Sequence, residues 1–205
     1  MLSRLIVVSP FFLDLVRRHE PDLWERTVCI PNGVRRVPRG PRGAEDGATV
    51  MYAGRITPRA EAFLGDLFLA PDLPAAVGRS SLALGVGRVA LEAMLQGLPA
   101  IAANHRYLGP IVTPREFAAL AATNFVPQHR PSPSRAGLRA ELTEALEDLE
   151  SRERDAEALQ VEVARRFGLG AMVERVESEY SAVVRCPASA ASRAPTAPPE
   201  EQRAA

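Results

Sequence analysis

Cysteine and histidine are scarce in this chain of 205 residues. The two cysteines, Cys29 and Cys186, lie far apart, and the three histidines have no metal-ligand spacing with each other or with the cysteines. We therefore expect neither a disulfide framework nor a metal site. Aromatic residues make up only 5% of the chain, so a core must be built mainly from Ala, Val, Leu and Ile.

The chain also lacks net charge and a long apolar run. Its 25 basic and 25 acidic residues balance, which disfavours nucleic acid and anionic membranes as partners. No run approaches the roughly 20 apolar residues of a transmembrane helix. The N-terminal run is broken by Pro10 and Asp14 and has no small-residue cleavage site, so it does not resemble a signal peptide. The cytoplasm is the expected compartment.

Apolar periodicity predicts short strands that alternate with helices, which is the pattern of an α/β fold with a Rossmann-like parallel sheet flanked by helices. A charge-rich segment with Pro and Gly at 34–47 is the predicted linker, and the tail 186–205 is predicted to be disordered. Thr113, Pro114 and Glu116 form a helix-start signal. The predicted strands are 5–9, 27–31, 49–53, 62–64, 82–84 and 99–103, and the other predicted helices begin at 11, 73 and 88 and cover 137–166 and 170–184.

The clearest candidate site is the glycine loop Gly85-Val86-Gly87-Arg88, between an apolar strand and a helix. Glycine lets a ligand approach the backbone, and a helix start offers N–H groups to an anion such as phosphate. Arg88 adds a charged donor. Glu92, one turn later, has a carboxylate that could accept hydrogen bonds from a ribose. The same residues also fit a simple strand-to-helix turn followed by a solvated acid.

A dinucleotide-binding enzyme is an alternative, because Gly85, Gly87 and Ala90 fit the fingerprint G-x-G-x-x-G/A. That fingerprint expects an acid at the end of the next strand to hold the ribose. Asn104 stands there instead. An NAD(P)-dependent oxidoreductase is therefore the weaker hypothesis.

Five segments, in order, resemble retaining GT-B glycosyltransferases related to sucrose synthase and to bacterial mannosyl transferases. Residues 87–103 (GRVALEAMLQGLPAIAA) resemble the family segment LEAMACGLPVVA, and Ile30-Pro31-Asn32-Gly33-Val34 resembles the family's IPNGVD. The other three matches are IVVS at 6–9, YAGR at 52–55 and the closing helix 171–180. The resemblance implies the donor-binding half of such an enzyme, with a reduced GT-B C-terminal domain.

The resemblance also implies roles for particular residues. Glu92 would hold the ribose of a UDP-, GDP- or ADP-sugar, and the loop Gly85–Arg88 would lie near the donor sugar and phosphates. Arg55 would be the catalytic residue, stabilising the departing nucleoside diphosphate without a metal or cofactor. Asn32 belongs to the donor site through the IPNGV match. Arg59 could replace the family lysine that is missing at Ala60.

The family pattern is incomplete in this chain, because Leu84 stands where a second glutamate is usual and the segment between Arg55 and Leu82 is short. We expect residues 1–33 to be a remnant of an acceptor domain and residues 48–185 to form the nucleotide-sugar-binding domain. The acceptor is unknown, and a separately encoded acceptor domain is an expected partner. A truncated, non-catalytic relative that binds nucleotide or a partner domain is the main alternative to an active transferase.

Overall fold

The computed structural model describes residues 3–36, 48–53, 57–64, 80–128 and 132–185. Strands and helices alternate over most of these residues. The strands are β1 Leu5–Val7, β2 Thr27–Cys29, β3 Val50–Tyr52, β4 Leu82–Gly85, β5 Ala100–Asn104 and β6 Tyr107–Ile111. The helices are α1 Pro10–His19, α2 Pro21–Trp24, α3 Pro58–Leu64, α4 Arg88–Leu95, α5 Pro114–Ala122, α6 Arg135–Glu147, α7 Leu149–Phe167 and α8 Leu169–Arg185.

A four-stranded sheet in the order β3-β4-β5-β6 organises the larger part of the fold. β3, β4 and β5 are parallel, and β6 returns antiparallel at the edge. Buried side chains form one cluster with α4, α5 and α7 on one face of the sheet and another with α3 and α6 on the other face. The predicted α/β class, with a mostly parallel sheet flanked by helices and with C-terminal helices, is confirmed.

The segment from β1 to β2, which we call the N-terminal unit, forms a two-stranded parallel sheet with α1 and α2. Several of its apolar side chains stay more than a third exposed. The chain then enters the main fold at Val34, which is 1% exposed and is held by backbone hydrogen bonds to Phe167 and Leu169. Val34 is the first residue of the segment predicted to be a linker, and 37–47 lie outside the described residues. The exposed apolar residues of the unit are Ile6, Phe12, Leu15 and Trp24.

The strand predicted at 62–64 is wrong, because these residues end helix α3. The Thr57 hydroxyl accepts a hydrogen bond from the Ala60 N–H at 3.2 Å, and Pro58 occupies the first helical position. Ala60, Phe63 and Leu64 are buried at helical spacing. The short helix predicted at 73–77 lies outside the described residues.

Two further differences have local causes. The predicted helix 137–166 is two helices, since the chain breaks at Asp148 between α6 and α7. Strand β6 was not predicted, and it contains Gly109-Pro110, a dipeptide that is typical of turns. Proline is tolerated there because β6 is an edge strand, where a missing N–H disrupts no second ladder.

Candidate functional site

The glycine loop lies at the carboxyl edge of the parallel sheet. Ligands of open α/β folds bind at this edge, outside the carboxyl ends of the strands. The Ala53 N–H donates to the Leu84 carbonyl oxygen at 3.2 Å, which places the end of β3 beside the end of β4. Gly87 has φ +58° and ψ −124°, a conformation that favours glycine, and it precedes α4 as the N-cap. The chain therefore turns sharply from β4 into a helix start at this edge.

Gly85 is required by the packing of α4 on β4. A Cβ added at Gly85 would collide with Cγ1 of Val89 and would lie 2.7 Å from Cβ of Val89. The first turn of α4 thus packs directly on the end of β4. The structural role of this glycine is established, and it brings the start of α4 close to the sheet edge.

The first turns of α4 carry the two charged candidates. Arg88 Nε donates to Glu92 Oε1 at 2.7 Å, while 68% of the Arg88 side chain and 20% of the Glu92 side chain are exposed. A cation at the positive end of a helix dipole is locally unfavourable, by about 0.3–1 kcal/mol, and no side chain caps this helix. An anion bound at the loop would offset that penalty and would accept from N–H groups of the first turn, among which the Val89 N–H already donates to the Val86 carbonyl oxygen at 3.3 Å.

Asn124 is a residue of this region that the sequence analysis missed. It follows α5 with φ +56°, and its Oδ1 accepts a hydrogen bond from Asn32 Nδ2 at 3.5 Å. A Cβ on Gly87 would lie 3.3 Å from its Nδ2. Asn124 and Phe125 donate backbone hydrogen bonds to Ala121 and Leu120, the pattern of a helix C-cap. The contact of Asn124 with Asn32, 92 positions away, has no local signal in the sequence.

The structure therefore brings most of the predicted site residues together. Gly85, Val86, Gly87, Arg88 and Glu92 are contiguous, and Asn32 reaches the loop through Asn124. Arg59 is exposed on the first turn of α3 and makes no hydrogen bond or ion pair with the described residues of the loop. Arg55 lies outside the described residues.

Two positions bear on the alternatives. Leu84, where the family pattern has a second glutamate, is 0% exposed and belongs to the core. The Asn104 Oδ1 accepts from the N–H groups of Arg106 and Tyr107 at 2.8 and 3.0 Å, closing the turn into β6. The side chain at the end of β5 therefore stabilises a hairpin and is not free to hold a ribose, which weakens the dinucleotide hypothesis further.

Among the described residues, Tyr52 is a titratable group at the carboxyl edge of the sheet. Tyr52 ends β3, and burial raises the pKa of its phenol, so this side chain brings no charge to the edge. Among the described residues, no three His, Cys, Asp or Glu side chains cluster in a way that could hold a metal ion. Arg88 brings a positive charge to the loop, and Glu92, one turn into α4, brings a negative charge beside it.

No protein-family model and no curated protein sequence matches the chain. Its fold is similar to that of Alr3699/HepE from Anabaena, solved in complex with UDP, with a TM-score of 0.60 and 15% identity. That match covers 89% of this chain and 64% of HepE, so the chain spans less than two thirds of the solved protein. The glycotransferase of kitacinnamycin matches with a TM-score of only 0.39 at 18% identity, over 86% of this chain and 55% of that one.

The similarity to HepE shows a GT-B-type α/β fold, and it agrees with the class predicted from the sequence. None of the helices in the described ranges is long and apolar enough to cross a membrane.

Proposed function

We propose that the chain binds a nucleoside diphosphate sugar at the glycine loop and forms the donor side of a glycosyltransferase. The observation that carries this proposal is the uncapped start of α4 at the carboxyl edge of the sheet, with Gly87 at positive φ and the exposed Arg88. The solved structure with a similar fold contains UDP, which supports a nucleotide as the ligand.

We propose a task for each part of the site. The free N–H groups of α4 and the Arg88 guanidinium would neutralise the diphosphate, whose charge increases when the sugar departs. Glu92 would accept hydrogen bonds from the ribose with the carboxylate oxygen that Arg88 leaves free. The Asn32–Asn124 pair would position the loop from the opposite side. Arg55 is proposed to stabilise the leaving diphosphate, on the family resemblance.

Turnover is tested by the release of nucleoside diphosphate from a UDP-, GDP- or ADP-sugar. We expect release above the uncatalysed rate for one of the three donors, and we expect Arg55→Ala to lower kcat by about 100-fold or more, as loss of one charge-stabilising donor does. The exposed Arg139→Gln on α6 is the matched control and should leave kcat unchanged. Equal kcat for Arg55→Ala and the wild type would remove Arg55 from the mechanism.

A second candidate is nucleotide binding without transfer. The buried Leu84 favours it, because a side chain inside the sheet cannot replace the carboxylate that contacts the donor sugar in the family pattern. The two candidates differ in one result: a non-catalytic relative binds the nucleoside diphosphate and releases none from any sugar nucleotide. The predicted acceptor-domain partner stays a prediction in either case.

Asn124→Gly separates the positioning role of Asn124 from its role as a helix cap. Glycine is preferred at a positive φ after a helix, so we expect the free energy of unfolding to stay equal or to rise by up to about 1 kcal/mol. Loss of the amide should nevertheless weaken nucleoside diphosphate binding by about three- to tenfold, the effect of one hydrogen bond. Urea unfolding and calorimetric titration measure the two quantities. Unchanged affinity would leave Asn124 as a cap alone.

A further inference from the structure

A cavity of about 200 Å³ lies where the N-terminal unit meets helices α5, α7 and α8. Pro10 at the start of α1 and Cys29 at the end of β2 form one wall, and Phe167 with small alanine side chains of α5 forms another. Arg166 and Arg175 also line it. No residue of the glycine loop lines this cavity, although Pro31, next to Asn32, does.

Both guanidinium groups are held against the cavity walls. Arg175 Nη2 donates to the Cys29 carbonyl oxygen at 2.9 Å. The guanidinium carbon of Arg166 lies 5.4 Å from the ring centroid of Phe167. These contacts fix both positive charges at the cavity and reduce the entropy that a ligand would otherwise have to remove.

Little negative charge opposes these arginines. Among the described residues, Arg175 has no carboxylate within ion-pair distance, and Glu162 lies 3.6 Å from Arg166 but closer, at 2.8 Å, to Arg165. Burial raises the pKa of the Cys29 thiol, an effect that Arg175 partly offsets, so the thiol is expected to be neutral near pH 7. The cavity therefore keeps an excess of positive charge.

Pro10, the first residue of α1, lines the cavity, and Ser9 precedes it in the chain. Ser9, the N-cap of α1, is 1% exposed, yet its hydroxyl has no hydrogen-bond partner and does not cap the helix. The helix has ten residues, no acid in its first turn, and Pro10, which has no N–H, at its first position. A buried hydroxyl without a partner is unfavourable, and a ligand that accepts its hydrogen bond would remove that cost.

We propose that this cavity binds a small oxyanion, a phosphate group or one of similar size and charge. Arg166 and Arg175, which line the cavity, would supply the charged donors. The Ser9 hydroxyl, next to the lining residue Pro10, would supply a neutral one. The ligand would bridge the N-terminal unit and the C-terminal helices, and it would stabilise their contact. This site is independent of the proposed transferase function.

Thermal unfolding of the full chain in inorganic phosphate tests the proposal, with chloride at equal ionic strength as the reference. At ten times Kd, a single site on a chain of this size should raise Tm by about 3–6 °C. Arg175→Gln keeps an amide for the Cys29 carbonyl but loses the charge, and it should lower the apparent affinity at least tenfold. A parallel titration with glycerol 3-phosphate shows whether a phosphate monoester is preferred over the free ion.

Three variants make the result decisive. Ser9→Ala should raise Tm without phosphate, because it removes a buried unpaired hydroxyl, and should reduce the gain that phosphate gives. Arg139→Gln should match the wild type. Arg88→Gln should keep the phosphate effect, since Arg88 belongs to the glycine loop. The proposal is overturned if phosphate gives no rise in Tm, if Arg175→Gln keeps the full rise, or if Arg88→Gln abolishes it.

Discussion

Gly85→Ala is expected to lower the free energy of unfolding by about 2–3 kcal/mol, the upper part of the range for overpacking a buried site. The added methyl group would collide with Val89, whose Cβ stands 2.7 Å from its position, and both residues belong to regular elements that cannot easily move apart. Urea unfolding followed by circular dichroism measures the loss. Because the collision forces α4 away from the sheet edge, nucleoside diphosphate binding should fall as well.

Two further variants identify the cause of that loss. Val89→Ala in the Gly85→Ala background should restore part of the stability, which a double-mutant cycle reports as a favourable coupling. Gly170→Ala is the matched control. Gly170 lies in helix α8, and an added Cβ would meet no atom within 4 Å, so alanine should stabilise by about 0.5–1 kcal/mol. If Gly85→Ala were as stable as the wild type, the close packing of α4 on β4 would be wrong.

The second large effect concerns Arg88 and Glu92, which should respond differently to two ligands. Arg88→Gln should weaken the binding of the nucleoside diphosphate and of inorganic pyrophosphate, each by about 10–100-fold. The reason is that a charge-assisted hydrogen bond contributes about 1.5–3 kcal/mol. Glu92→Ala should weaken the binding of the nucleoside diphosphate by a similar factor. It should leave pyrophosphate unchanged or bound more tightly, because it removes a negative charge and no donor.

This contrast separates a ribose contact from a surface ion pair. If Glu92 served only as the partner of Arg88 at 2.7 Å, its removal would leave nucleotide affinity equal or higher. Both single variants should stay folded, because an i,i+4 ion pair on a helix contributes only about 0.3–0.5 kcal/mol. Isothermal titration calorimetry with the two ligands, and Arg139→Gln as the control, gives all the affinities required.

The sequence predicted the region around the glycine loop well because its signals are local. An apolar strand, a glycine turn and an amphipathic helix before Gly97 specify the unit from Leu82 to Asn104, and the structure confirms the parallel pairing of β4 with β5. The N-cap prediction at Thr113 is also confirmed, since its hydroxyl accepts from the Glu116 N–H. Each of these features depends on residues close in the chain.

Features that depend on distant residues could not be predicted in the same way. Asn32 and Asn124 are 92 positions apart, and nothing in either sequence segment indicates that they meet beside Gly87. Strand β6 forms because it can pair antiparallel with the edge of β5 even though β6 contains Pro110. The edge position, and not the local propensity, decides that pairing.

The central claim is that the glycine loop binds a nucleoside diphosphate, and calorimetric titration of the full chain with UDP, GDP, ADP and NAD tests it most directly. We predict saturable binding of at least one nucleoside diphosphate, at one site per chain, and no tight binding of NAD. Failure of all three diphosphates to bind would contradict the claim. Tight binding of NAD would instead support the dinucleotide hypothesis.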